Sequence, residues 1–272
     1  MIRAVLRLAL VCVSALGLIS AGPARAETEV DLALVLAVDV SFSMDPDEQT
    51  LQREGFVEAF RSALVHDAIR RGAVGRIAVT YMEWAGAADQ RVLMPWTILD
   101  SPGAAIAFAD ELARKPTRRA ARTSISGAID FSVKLLGEGD LAAIRKVIDV
   151  SGDGPNNQGR PVTAARADAV AAGITINGLP IALKAPGYFD IVDLDDYFRD
   201  CVIGGQGAFL VPARDKVQFR DAVKTKIIME IAERPTPGRF AEAGGLVIPA
   251  QAQAGRTNCF AGEQQWRDRM GN

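Results

Sequence analysis

The 272-residue chain has one histidine and three cysteines. That scarcity excludes a His-rich or multi-Cys metal cluster and a disulfide-dense miniprotein. Basic excess is also missing. The formal net charge is −2, which excludes a broadly basic nucleic-acid footprint. Aromatics make up only 6%, but 49% hydrophobic and 24% charged residues still describe an ordinary globular chain with enough apolar material for a core. No Gly-x-Gly-x-x-Gly follows the first strand-like run, which argues against a nicotinamide enzyme. Gly-x-Ser-x-Gly is absent, and the lone His66 lies far in sequence from the candidate site loops, which argues against a serine hydrolase.

What is present begins with an export signal. Arg3 and Arg7 supply a positive start, and residues 8–19 form an apolar run too short to span a bilayer comfortably. Ala24-Arg25-Ala26 reads as a cleavage site, so residues 1–26 are expected to be removed. That segment carries three arginines and no acids, and its loss takes the charge from −2 to −5. Cys12 leaves with it. Cys201 and Cys259 remain, and in an exported chain they most simply form one disulfide, stabilising by about 4 kcal/mol in the chain-entropy model. No other long apolar run follows. No membrane span is expected after cleavage, and the location is the bacterial periplasm or outside the cell.

From residue 30 the chain alternates strands and helices. Residues 30–38 (VDLALVLAV) suit a strand buried on both faces. Asp45, Pro46 and Glu48 mark a helix start, with the helix running to about His66. Strands are expected at 76–84, 91–96, 145–150, 174–179 and 207–211. Helices are expected at 104–113, 124–136, 162–172, 193–200 and 215–232. Such alternation predicts an α/β fold with a doubly wound, mostly parallel sheet flanked by helices. Residues 27–235 form this unit. Residues 236–272 read as a tail without periodicity, pinned back by Cys259 near Cys201.

Open α/β sheets bind ligands at the carboxyl ends of their strands. The loop after the first strand reads Asp39-Val40-Ser41-Phe42-Ser43, one carboxylate and two hydroxyls at alternating positions. Oxygen-only ligands suit a hard divalent cation. Three residues cannot fill six positions. Thr123, opening a later helix, and Asp153, closing a later strand before Gly154, are placed to reach the same end of the sheet.

Asp39-x-Ser41-x-Ser43, Thr123 and Asp153-Gly154 together resemble the metal-ion-dependent adhesion site of von Willebrand factor type A domains. The chain also resembles the exported bacterial family DUF1194, an impression strengthened by the stretch Arg199-Asp200-Cys201-Val202-Ile203-Gly204-Gly205. The resemblance implies that Ser41 and Ser43 coordinate through their hydroxyls. Thr123 would act directly or through water, and Asp39 and Asp153 mostly through water. It implies Mg²⁺, with Mn²⁺ or Ca²⁺ as alternatives, and a remaining position for an Asp or Glu of a protein partner. The expected function is therefore metal-dependent protein binding without catalysis. The alternatives are an envelope scaffold whose metal stabilises the fold, or a phosphohydrolase. The last wants Asp-x-Asp where this chain has Ser41, and no lysine stands convincingly near the strand ends. Gly152 departs from the Thr that often precedes the last Asp, which implies little change to the ligands but a looser loop.

Weaker signals have two readings each. Arg118, Arg119 and Arg122 form either a steering rim or a solvated loop. Asp190, Asp193, Asp195 and Asp196 form a second cation site or a helix start. His66 suits a helix end rather than catalysis, Trp84 and Trp96 line the binding face or pack in the core or rim, and Asn156-Asn157 shape the third metal loop or make a turn.

Overall fold

A computed structural model describes residues 27–184, 191, 193–232, 247–249 and 257–270. The expected signal segment lies outside them. The first strand, β1 (Thr28–Asp39), is followed by helices α1 (Pro46–Arg61) and α2 (Ala63–Arg70). Next come β2 (Ile77–Trp84), β3 (Gln90–Leu99), α3 (Pro102–Arg114), α4 (Ile125–Glu138) and β4 (Leu141–Gly152). Then follow α5 (Val162–Ala171), β5 (Ile174–Pro180), α6 (Leu194–Tyr197) with a π turn at Phe198–Val202, and β6 (Phe209–Leu210). The chain continues with α7 (Phe219–Ile231), β7 (Ile248–Pro249) and α8 (Ala261–Met270).

The sheet order is β3-β2-β1-β4-β5-β6-β7. The central pairs are parallel, while β3 and β7 run antiparallel to their neighbours. This is the expected doubly wound, mostly parallel architecture. The order reverses direction between β1 and β4, and that seam is where such sheets open a ligand crevice.

The apolar run of β1 is unbroken because both faces are covered. Leu32, Leu34, Leu36 and Val38 enter one core with Phe56, Phe60, Phe108 and Phe219. The alternate residues Ala33, Val35 and Ala37 enter a second core with Trp84, Ile129 and Phe198. Small alanines on that side let α4 approach β1 closely.

The helix after β1 starts as the sequence predicts. Asp45 accepts from the Glu48 N–H at 2.8 Å, and the Glu48 carboxylate accepts from the Asp45 N–H at 2.9 Å. It ends earlier than expected, at Arg61. Ser62 turns extended and caps α2 by accepting from the Leu64 N–H. His66 therefore sits inside α2 and is buried. Its Nε2–H donates to the carbonyl of Phe60 at 2.7 Å, satisfying a group at the end of α1.

The stretch expected to be an aperiodic tail contains β7 and α8. The Cys201–Cys259 disulfide is formed, with Cα atoms 5.5 Å apart. Among the described residues no helix is long and apolar enough to cross a membrane.

Candidate metal centre

The strand end and the loop after it place the first three site residues. Asp39 is the last residue of β1 and fully buried. Its Oδ1 accepts from the Ser41 N–H at 2.7 Å, which turns the chain so that Ser41 follows on the same side. Ser41 Oγ lies 2.8 Å from Ser43 Oγ, and Ser43 Oγ donates to Asp153 Oδ1 at 2.6 Å. Four of the five expected residues thus form one continuous cluster across the β1–β4 seam. Thr123 lines the same cavity as Ser41 and Ser43.

The second loop is tied in by backbone pairing. Ala120 N–H donates to Val40 O at 2.9 Å, and the Ser124 N–H donates to Ala85 O at 2.7 Å. Arg122, between them, has φ 77°, the one left-handed non-glycine among the described residues. Thr123 is then clamped to the third loop. Its N–H donates to Asn157 Oδ1 at 2.9 Å, and its carbonyl accepts from the Asn157 N–H at 2.8 Å. Asn156 accepts from the Ser126 N–H at 3.0 Å, and its own N–H donates to the buried Tyr197 hydroxyl at 3.1 Å. Of the two readings of Asn156-Asn157, shaping the third loop is the one their side chains fit. Both side chains hold the site loops in register.

The electrostatics of the cluster favour a cation. Asp39 Oδ2 is buried and makes no well-formed hydrogen bond, and the nearby Asp153 backbone N–H offsets its charge only in part. Burial pushes the Asp39 carboxyl well above the ordinary carboxylate range, and the nearby Asp153 charge pushes it further. A buried carboxylate oxygen without a well-formed hydrogen bond, with a second carboxylate charge nearby, is costly alone and is compensated by a bound cation. Among the described residues no group of three or more His, Cys, Asp or Glu is placed to hold a metal. This cluster differs in kind, with hydroxyls as the main donors, and that chemistry fits a hard cation.

One lysine was overlooked by sequence reasoning. Lys184, just after β5, donates to Ser43 O at 2.7 Å and to Glu48 Oε2 at 3.0 Å, and stands 3.8 Å from Asp153 Oδ2. Burial alone would lower its pKa; the Glu48 hydrogen bond and the acids around it raise it overall. No spacing rule links Lys184 to Asp39, since only the sheet order brings the two loops together.

Gly152 is not part of a loose loop, contrary to expectation. It ends β4, is buried, and its carbonyl accepts from the Ile181 N–H at 2.9 Å. A Cβ there would sit 2.9 Å from Asp39 Oδ2 and 3.3 Å from the Trp84 ring. The missing side chain makes room for the carboxylate. Gly152→Ala is therefore expected to displace Asp39 and weaken divalent-cation binding by about tenfold or more. Unchanged affinity in a calorimetric titration would refute this.

The arginine rim is only partly a rim. Arg118 is bound inward, to Glu83 Oε2 at 2.9 Å and to Asp89 Oδ1 at 2.9 Å. Arg119 donates to Phe42 O at 2.5 Å and lies over the Phe42 ring. Arg122 stacks on Trp266 of α8 at 3.4 Å. The acidic group disperses into ion pairs, Asp195 with Arg214 and Asp196 with Arg199. Asp190 lies outside the described residues. Trp84 is core, and Trp96 is half-buried, donating to Leu135 O at 3.3 Å.

Comparison with known proteins agrees with this architecture. The pilus adhesin SpaC from Lactobacillus rhamnosus GG superposes with a TM-score of 0.56 at 10% identity, over 75% of this chain and 31% of that one. Proximal thread matrix protein 1 from the mussel byssus, in a structure with a zinc-occupied MIDAS motif, gives 0.52 at 14% identity, over 74% and 48%. A von Willebrand factor type A protein from Catenulispora acidiphila gives 0.46 at 17%, over 74% and 43%. The chain spans about half the length of the mussel protein and under a third of the adhesin. No curated protein matches the sequence. The α/β fold that the resemblance to von Willebrand factor type A domains implied is the fold observed. The family DUF1194, described as a protein of unknown function, matches residues 29–235, which takes in the whole sheet up to β6 with its flanking helices, and the chain belongs to that family.

Proposed function

We propose that this chain is an exported binding module that uses one divalent cation to capture an acidic side chain of a protein partner. Ser41 and Ser43 would hold the cation through their hydroxyls, and Thr123 directly or through water. Asp39 and Asp153 would orient the water around it and balance its charge. The cation would supply a Lewis-acidic position for an incoming carboxylate. Mg²⁺ is the first candidate because the donors are all oxygen. Zinc in the mussel protein's motif supports a divalent cation in general.

The observation that carries this reading is the line Ser41 Oγ, Ser43 Oγ, Asp153 Oδ1, at 2.8 and 2.6 Å, beside the buried Asp39 Oδ2. A phosphohydrolase fits less well. Asp39 would be its nucleophile, yet Asp39 is fully buried with one oxygen tied to Ser41. Lys184 removes one sequence argument against that chemistry without making Asp39 accessible.

Calorimetric titration of Mg²⁺, Mn²⁺, Ca²⁺ and Zn²⁺ into chelator-stripped protein tests the reading. One saturable site is expected, weakened about tenfold or more by Ser41→Ala and by Asp153→Ala. Absence of binding to the intact protein, or binding indifferent to both substitutions, would overturn it.

A further inference from the structure

Helix α8 lies against the candidate metal centre, although nothing in its sequence points there. Several contacts seat it or the turn before it. Cys259 is joined to Cys201. Glu263 Oε1 accepts from Asn156 Nδ2 at 2.8 Å, on the loop that carries Asp153. Gly262 packs so tightly on that loop that a Cβ would meet Asn156 O at 2.2 Å. Trp266 stacks on Arg122, the residue before Thr123.

The helix does not fill the site. A cavity of about 470 Å³ remains between them, lined by Ser41, Ser43 and Thr123 on one side and by Gln265, Trp266 and Arg269 on the other. Among the described residues its lining includes two guanidinium groups, Arg122 and Arg269, and no carboxylate. Phe42 stands at the same cavity, 59% exposed despite its size.

We propose that α8 is part of the binding surface and walls the metal centre into a pocket for an acidic residue on an extended peptide. This rests on the metal reading above. The volume is at the lower end of small-ligand pockets, about 300–1,000 Å³. It has room for a short segment of chain, and α8 on one side of it narrows the approach for a broad folded face. The guanidinium groups, both lying on the Trp266 ring, give the pocket a positive charge that complements a carboxylate. The parts of Phe42 and Trp266 that Arg119, Arg122 and Arg269 leave uncovered offer apolar contact to residues flanking the acid, which a free small acid would not use.

The test is an array of linear heptapeptides centred on Asp or Glu, with Asn- and Gln-centred controls, probed with Mn²⁺-loaded protein. Mn²⁺ affinity is measured separately by calorimetry. The intact protein is expected to retain carboxylate peptides over amide controls. Trp266→Ala should weaken that binding by about tenfold or more, while Mn²⁺ affinity changes by less than about twofold. Trp266→Phe should restore most of it. The helix is held by the disulfide, and thermal unfolding of each variant verifies that it is folded. Peptide binding unchanged in Trp266→Ala would overturn the proposal, and tighter binding would make α8 a competitor. Mn²⁺ binding without any carboxylate preference would overturn it and leave the metal reading intact. Failure to bind Mn²⁺ would remove both.

Discussion

Asp39→Asn is expected to abolish divalent-cation binding and to make the metal-free protein more stable. The two effects have one cause. Asp39 is fully buried, one of its oxygens makes no well-formed hydrogen bond, and Asp153 is close enough to raise its pKa further. Asparagine keeps an acceptor for the Ser41 N–H and removes the buried charge. The gain is set against an amide group that needs an acceptor, so a net of about 1–2 kcal/mol is reasonable. For a chain of this size that raises the unfolding temperature by roughly 2–8 °C. Adding Mg²⁺ or Mn²⁺ should stabilise the intact protein by mass action and leave the variant unchanged. A variant that is less stable without metal, or that still gains stability from it, would contradict the assignment of Asp39. This is the usual sign of a functional group maintained at the expense of fold stability.

A larger loss of stability is expected from Lys226→Met, away from the site. Lys226 on α7 is fully buried, with its ammonium 2.8 Å from Asp149 Oδ1 and 2.5 Å from Glu230 Oε1. Glu230 also accepts from Asn177 Nδ2 at 2.6 Å, so this group ties α7 to β4 and β5. Removing the cation leaves two carboxylates buried together. Breaking such a pair from one side costs about 3–5 kcal/mol. The unfolding temperature should fall by roughly 6–20 °C.

The pH dependence follows from Asp149. Burial raises its pKa from 3.8 to about 6, Lys226 opposes that shift, and Glu230 adds to it. A carboxyl raised in the folded state stabilises the fold when protonated. That contribution is present below about pH 4 and is lost as pH rises through about 6. Without Lys226 nothing opposes the shift at Asp149, which then holds its proton to higher pH. The difference in stability between the intact protein and Lys226→Met should therefore be smaller at pH 5 than at pH 8. Equal differences at both pH values would show that Asp149 does not titrate in this range.

The strand-helix alternation and the β1–α1 junction were legible in the sequence because they rest on local chemistry. An apolar run without alternation means two covered faces, and Asp45-Pro46-x-Glu48 is a complete capping signal. The residue types of the site were legible for the same reason, since all five follow strand ends or open helices. What was not legible depends on long-range placement. Lys184 reaches Ser43 because β5 lies two strands from β1, and no spacing reports that. Arg118 turns inward because Glu83 and Asp89 await it on neighbouring elements. Helix α8 escaped detection because its sequence, AGEQQWRDRM, has no apolar stripe. Among the contacts that hold it are the disulfide at Cys259 just before it, the Asn156–Glu263 hydrogen bond, the close-packed Gly262 and the stacked Trp266 ring. Gly152 read as a loosened loop because glycine permits mobility, whereas here it clears space beside a buried carboxylate.

The place of β1 in the sheet also governs the order in which the molecule can be made. It precedes both of its neighbours in the chain, yet it ends up between β2 and β4. β2 is complete at Trp84, but β4 begins only at Leu141, past the midpoint of the 272 residues. At about 5–20 residues per second, one edge of the most apolar strand stays unpaired for on the order of ten seconds. An open apolar edge of that duration invites pairing with other chains and is a natural target for a holding chaperone. Asp39 and Asp153 lie on opposite sides of the late-closing seam. The cation centre therefore cannot assemble on a nascent chain until β4 has docked, and metal capture falls at the end of folding rather than guiding its start.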